Sequence, residues 1–264
     1  MSGTQAVIVT GASSGIGLGI ALKYLSEGHD VILVGRNIEK LRGAIPTDFK
    51  GPGRSLFLAK DVSTLEGCKE LIKEGIEMLG GRLDVLVNNA GAGKFDLKLA
   101  DITPEDWLWH MNTNVNSVMY LTQMAIPHLE ATKGNVVNIS SIAAKRAVPG
   151  APAYAISKAA VDALTTNSAL ELAPRGIRVN AINPATVVTN FFTSAGMSED
   201  QAQAYMSKSA KTHPIGRVGT PADIAELCYF LTDNSKAGWI TGQCIVADGG
   251  RILSMPTLLG QQSE

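Results

Sequence analysis

Residues 11–17, GASSGIG, constrain this chain's fold more than any other stretch. A β-branched apolar run, QAVIVT at 5–10, precedes them, and an apolar-periodic segment, IGLGIALKYLSEG, begins within them. The first reads as a strand, the glycines as a tight turn, and the 3.6-residue period as a helix. A second apolar run, DVILVG at 30–35, completes a β-α-β unit. Gly11 lets the chain turn sharply, while Gly15 and Gly17 let backbone and helix approach a ligand closely. The helix start then offers free N–H groups and a partial positive charge, which suits a pyrophosphate.

The end of the second strand decides which dinucleotide fits. An acidic residue there would accept hydrogen bonds from a ribose 2′-hydroxyl; this chain has Gly35-Arg36-Asn37 instead. Arg36 can pair with a 2′-phosphate and stack on adenine, so NADP(H) is expected over NAD(H), with NAD(H) possible. The alternative is a solvated arginine ahead of the helix near Ile38. SLFLAKDV reads as a third strand ending at Asp61-Val62, where Asp61 would meet the adenine amino group or cap the next turn.

From there the βα alternation continues. A charged, helical segment at 64–79 leads to a fourth strand, LDVLVNNAGAG at 83–93. Small residues at its end, Ala90 and Gly91, suit a backbone packed against a cofactor, and Asn88 is a candidate to tie neighbouring strands. Thr103-Pro104-Glu105-Asp106 caps a helix whose period runs unbroken from Trp107 to about Leu129, with Asn114 inside it. A fifth strand at 134–140, a small-residue helix from about 153 to 173 and a sixth strand at 175–184 follow. Residues 187–216 are expected to form a substrate cover with one helical patch at 198–211. A helix opening at Thr220 and a last strand at 240–250 end the pattern, and the tail 251–264 has no clear period. The fold class is therefore α/β: one doubly wound domain over 1–264, with about seven mostly or wholly parallel strands.

Composition narrows the partners. A net charge of -1 with 18% charged residues gives no electrostatic case for nucleic acid or an anionic membrane. No apolar run approaches a membrane span, and MSGTQAVIVTG lacks the basic and long apolar parts of a secretory signal. Cys68, Cys228 and Cys244 are odd in number and far apart, so a reducing, cytoplasmic setting without disulfides is expected. Those cysteines and the four scattered histidines give no metal spacing, so no metal is expected.

Chemistry concentrates in 138–158, NISSIAAKRAVPGAPAYAISK. Tyr154 and Lys158 stand at (i, i+4), on one helix face and one turn apart. A nearby ammonium favours a phenolate; lowering a tyrosine pKa by ~2 units takes roughly 3 kcal/mol. Ser141 can hold a substrate oxygen at the same point. Taken alone, the spacing also fits an ordinary helix with an exposed Tyr and Lys.

Thr10-Gly11-xxx-Gly15-x-Gly17, Asn88-Asn89-Ala90-Gly91, Asn114, Ser141, Tyr154-xxx-Lys158 and Asn183-Pro184 occur in one order. In that set the chain resembles the classical short-chain dehydrogenase/reductase family over roughly residues 4–250. The resemblance implies Tyr154 as general acid in reduction and general base in oxidation. It implies that Lys158 lowers the Tyr154 pKa and holds the nicotinamide ribose, that Ser141 polarises the carbonyl, and that Asn114 holds a relay water. It further implies cofactor contacts at Gly11, Ser13, Ser14, Ile16, Gly17, Arg36, Asp61, Val62, Asn88, Ala90, Gly91, Tyr154, Lys158, Pro184, Ala185, Val187 and Thr189. The family usually has Pro-Gly where this chain has Pro184-Ala185, which either narrows the nicotinamide side or is tolerated by a negative φ. The expected reaction is reversible NADPH-dependent reduction of a small-molecule carbonyl. The alternatives are an NAD-dependent secondary-alcohol dehydrogenase, such as a hydroxysteroid type, and a non-catalytic cofactor-binding regulator. A homotetramer or homodimer is expected from the same resemblance.

Overall fold

The computed structural model describes residues 3–254; the tail expected at 251–264 therefore lies mostly outside the described residues. Apolar runs become strands β1 (Ala6–Thr10), β2 (Asp30–Gly35), β3 (Ser55–Ala59), β4 (Val85–Asn88), β5 (Asn135–Ile139), β6 (Arg178–Pro184) and β7 (Cys244–Ala247). All pairs are parallel, in the order β3-β2-β1-β4-β5-β6-β7. In β1 the period of two divides the core: Ala6 and Ile8 face one layer, Val7 and Val9 the other. The first layer packs against helices α3 (Leu65–Met78), α5 (Ser117–Thr132) and α6 (Pro152–Leu172) through Leu71, Leu121 and Ala169. The second packs against α1 (Gly15–Ser26) and α9 (Pro221–Thr232) through Ile20 and Ile224. Each Val, Leu or Ile side chain among them, fully buried, contributes about 1.5–3 kcal/mol. Gly19 lets α1 and α9 meet, since a Cβ there would stand 2.7 Å from Pro221 Cβ.

The boundaries differ from expectation where a contact outranks the local pattern. The third strand stops at Ala59, so Lys60, Asp61 and Val62 form the turn beyond it. The helix after Asn37 is only α2 (Ile38–Arg42), capped by Asn37. The expected continuous helix is α4 (Pro104–Met111), then one π turn (Asn112–Asn116), then α5. Within 187–216 lie two helices, the short α7 (Phe191–Ser194) and α8 (Glu199–Ala210), the latter closed by a Ser198–Gln201 capping box. The short α10 (Asn234–Ala237) precedes β7. Among the described residues no helix is long and apolar enough to cross a membrane. Nor do three or more His, Cys, Asp or Glu side chains gather as a metal ion would need.

Candidate active site

Strand order reverses between β1 and β4, and a crevice opens at the carboxyl ends of the strands there. The cavity has a volume of about 1080 Å³. Its floor is the glycine turn. Gly11 and Gly15 hold φ of 64° and 58°, and a Cβ on Gly11 would stand 2.9 Å from Asn89 Nδ2. Asn89 Nδ2 donates to the carbonyls of Thr10 (2.8 Å) and Gly11 (3.2 Å), while Thr10 Oγ1 accepts from the N–H groups of Asn89 and Ala90 (both 3.0 Å). The turn and the end of β4 are thus one clamp. No side chain caps α1; Ser14 Oγ instead donates to Asn190 Oδ1 at 3.0 Å, across the cavity mouth. The first-turn N–H groups of α1 remain available to an anion.

Most expected contacts line this cavity: Gly11, Ser13, Ser14, Ile16, Arg36, Asp61, Val62, Ala90, Gly91, Ser141, Tyr154, Lys158, Pro184, Ala185, Val187 and Thr189. Two do not. Gly17 packs behind the wall, where its Cβ would meet Asn89 Nδ2 and Gly11 O at 2.4 Å. Asn88 is buried between strands and donates to Asn138 Oδ1 (2.9 Å) and Thr122 Oγ1 (3.2 Å), so it ties the strands behind the cavity wall. Asn89 and Lys40, which sequence reasoning passed over, are on the wall. The signal for Lys40 was its place one helical turn beyond Arg36. Ala185 has no positive φ, so the departure from Pro-Gly needs no strained backbone.

At the other end Tyr154 and Lys158 project from the first turns of α6, and Ser141 sits just past β5. Gly91 and Gly93 let the β4 loop come in close: a Cβ on Gly91 would stand 3.3 Å from Lys158 Nζ and one on Gly93 3.2 Å from Tyr154 Cδ2. Lys158 Nζ donates to the Ile139 carbonyl at 2.9 Å and stands 5.9 Å from the centre of the Tyr154 ring. Burial pushes the Tyr154 phenol up to about 12, with a hydrogen bond to Ser141 pulling the other way. Burial brings Lys158 down to about 8, opposed by the Asp162 carboxylate. Desolvation is the largest influence on the Tyr154 phenol.

Asn114 lies beside this group. Its Oδ1 accepts from Ala92 N (2.8 Å), and its Nδ2 donates to Ala92 O and Ser157 Oγ (both 2.9 Å). The amide is committed to shaping the loop beside Lys158, and Asn114 is not on the cavity wall. The π turn aims it there. A second support lies under Ser141. Asn183 Nδ2 donates to Ser141 O and to Asp162 Oδ2, both at 2.9 Å, and Lys145 Nζ pairs with Asp162 Oδ2 at 2.9 Å.

The volume, the glycine floor, the uncapped helix start and the cations at the β2 end together fit a nicotinamide dinucleotide. Residues 11–251 match the family model described as enoyl-(acyl carrier protein) reductase. A 3-oxoacyl-acyl-carrier-protein reductase of Chlamydia pneumoniae is 36% identical over 245 residues, covering 92% of this chain and 95% of the relative. A Caenorhabditis elegans short-chain dehydrogenase/reductase of unknown function, solved with cofactor, is 37% identical with a TM-score of 0.89 over 96% of this chain and 97% of that one. A Brucella melitensis 3-ketoacyl-(acyl-carrier-protein) reductase complexed with NADH is 30% identical with a TM-score of 0.83, over 95% of this chain and 98% of that one.

Proposed function

The chain belongs to the classical short-chain dehydrogenase/reductase family of oxidoreductases, and from that premise we propose that it reduces a carbonyl group to the alcohol with NADPH, reversibly. The observation that carries the reading is one cavity with Ser141, Tyr154 and Lys158 at one end and Arg36 with Lys40 at the other. Gly11, Ser13, Ile16 and the start of α1 would hold the pyrophosphate, and Arg36 and Lys40 a 2′-phosphate. When bound, the nicotinamide supplies the hydride to the carbonyl carbon or takes it back.

This chain's own residues manage the proton. Ser141 Oγ holds the carbonyl oxygen, and Tyr154, protonated at neutral pH, donates to it as negative charge develops. Lys158 is cationic below about pH 8 and steadies the phenolate left behind. Asn114 and Asn183 hold the loops that place these groups.

Two cations at the β2 end support NADP(H); the NADH bound by the Brucella relative favours the second reading, an NAD-dependent secondary-alcohol dehydrogenase. Titration of both cofactors, with a carbonyl panel assayed in NADPH and NADH side by side, separates them. Arg36→Asp should weaken NADPH binding about 10- to 100-fold, since a hydrogen bond to a charged group contributes about 1.5–3 kcal/mol. Equal or tighter NADH binding by the unaltered protein would reject the NADP assignment. A pure regulator would have no use for a Ser-Tyr-Lys wall, and loss of carbonyl reduction in Tyr154→Phe is the result that excludes it. The same reading places the protein in the cytoplasm as a homodimer or homotetramer acting on a small molecule.

A further inference from the structure

The cavity wall carries more cationic charge than a dinucleotide uses. Asp61 is the one carboxylate among its lining residues. Arg36 and Lys40 stand at the 2′-phosphate end, Lys60 is taken by Glu70 (2.8 Å) and Glu74 (2.7 Å), and Lys158 by the Ile139 carbonyl. Arg146 and Arg251 remain, and among the described residues neither has a carboxylate partner within salt-bridge distance.

Their place in the fold is the substrate end. Arg251 is partly buried, and its Nη1 donates to Thr186 Oγ1 at 2.5 Å. Thr186 lies two residues past Pro184, and its hydroxyl reaches Ser209 Oγ on α8 at 3.4 Å. One turn earlier on the same face of α8 is Tyr205, packed at a tilt against Phe192 with centroids 4.5 Å apart. Phe192 continues through Phe191 (5.6 Å) to Tyr154 (5.8 Å). An aromatic wall therefore runs from the proton donor toward a guanidinium. Arg146 enters the same cavity from the loop that begins at Ser141.

We infer that the substrate carries a carboxylate at the end of its skeleton away from the carbonyl, held by Arg251 and Arg146, with the apolar part between lying on the aromatic wall. The inference rests on the carbonyl-reductase reading above. A guanidinium matches a carboxylate in two parallel hydrogen bonds, and partial burial strengthens the pair.

The test compares 4-(4-acetylphenyl)butanoate, its methyl ester and acetoacetyl-coenzyme A as substrates, with NADPH and with NADH. The expected result is at least a tenfold higher kcat/KM for the acid than for the ester, expressed mainly in KM and shrinking with added salt. Arg251→Met should cut the acid-to-ester ratio about tenfold or more, Arg146→Met should cut it too, and Arg251→Lys should restore part of it. In parallel, 4-phenylbutanoate and its methyl ester are titrated calorimetrically into the folded protein with NADP+ or NAD+. Tighter binding of the anion, lost in Arg251→Met, supports the carboxylate site even if no carbonyl is reduced, in which case the reductase reading alone fails. Equal binding of acid and ester, preference for acetoacetyl-coenzyme A over the acid, or a ratio unmoved by both substitutions overturns the inference.

Discussion

Tyr154 and Lys158 set how the protein should respond to pH. Reduction needs the phenol protonated and the ammonium charged. Both hold below pH 8, and the first is lost only near 12. As pH rises through about 8, Lys158 loses its proton, so kcat/KM for reduction should be flat from pH 6 to about 7.5 and fall above about 8. Oxidation needs the phenolate and should gain with pH over the same range. A reduction profile that rises with pH would contradict the assignment. Asp162 acts on this limb from a distance, because its carboxylate is what holds Lys158 up. Asp162→Asn should move the alkaline limb to lower pH and leave the acid side in place. A merely structural role would lower activity equally at every pH. Tyr154→Phe, which keeps the ring and removes the proton, should lower kcat by about 10²- to 10⁴-fold with cofactor affinity nearly unchanged.

Helices and strands were legible to different depths. The strands showed because each is an apolar run bounded by turn residues, and Thr103, Ser198 and Thr220 cap helices at or near the starts their sequences suggest. The π turn was not legible: the partners that stabilise it, Ala92 and Ser157, lie 22 and 43 residues away, and the hydrophobic period continues across it. Lys158 is legible as Tyr154's neighbour; the desolvation that dominates the phenol's shift is not, since burial is a property of the assembled fold. Asn183, quoted beside Pro184, gave no sign that it reaches Ser141 and Asp162. At this scale two changes discriminate. Gly19→Val should drive α9 off α1 and destabilise by about 1–3 kcal/mol, measured by urea unfolding. Asn114→Ala should instead lower activity more than stability, because it frees the Ala92 loop beside the reacting groups.

On the scale of the whole molecule, several large apolar side chains stand exposed. Leu108 and Trp109 on α4, and Leu170 on α6 at 79% exposure, accompany Trp239 at 99% just before β7. Light scattering should therefore give a dimer or tetramer mass, and Trp239→Ser with Leu170→Ser should shift it downward; a monomer in the unaltered protein would remove the assembly proposal.

The clamp between the glycine turn and the end of β4 joins residues nearly 80 apart, and the Ser14–Asn190 bond joins residues 176 apart. No fragment of the chain can build that floor, so a dinucleotide has nothing to hold until the sheet is complete. Such a ligand binds the native state and not the unfolded one, and by mass action adds about 2.7 kcal/mol of stability at a hundred times its Kd. Cofactor supply would then govern how many copies of the protein stay folded, as well as how fast each one turns over.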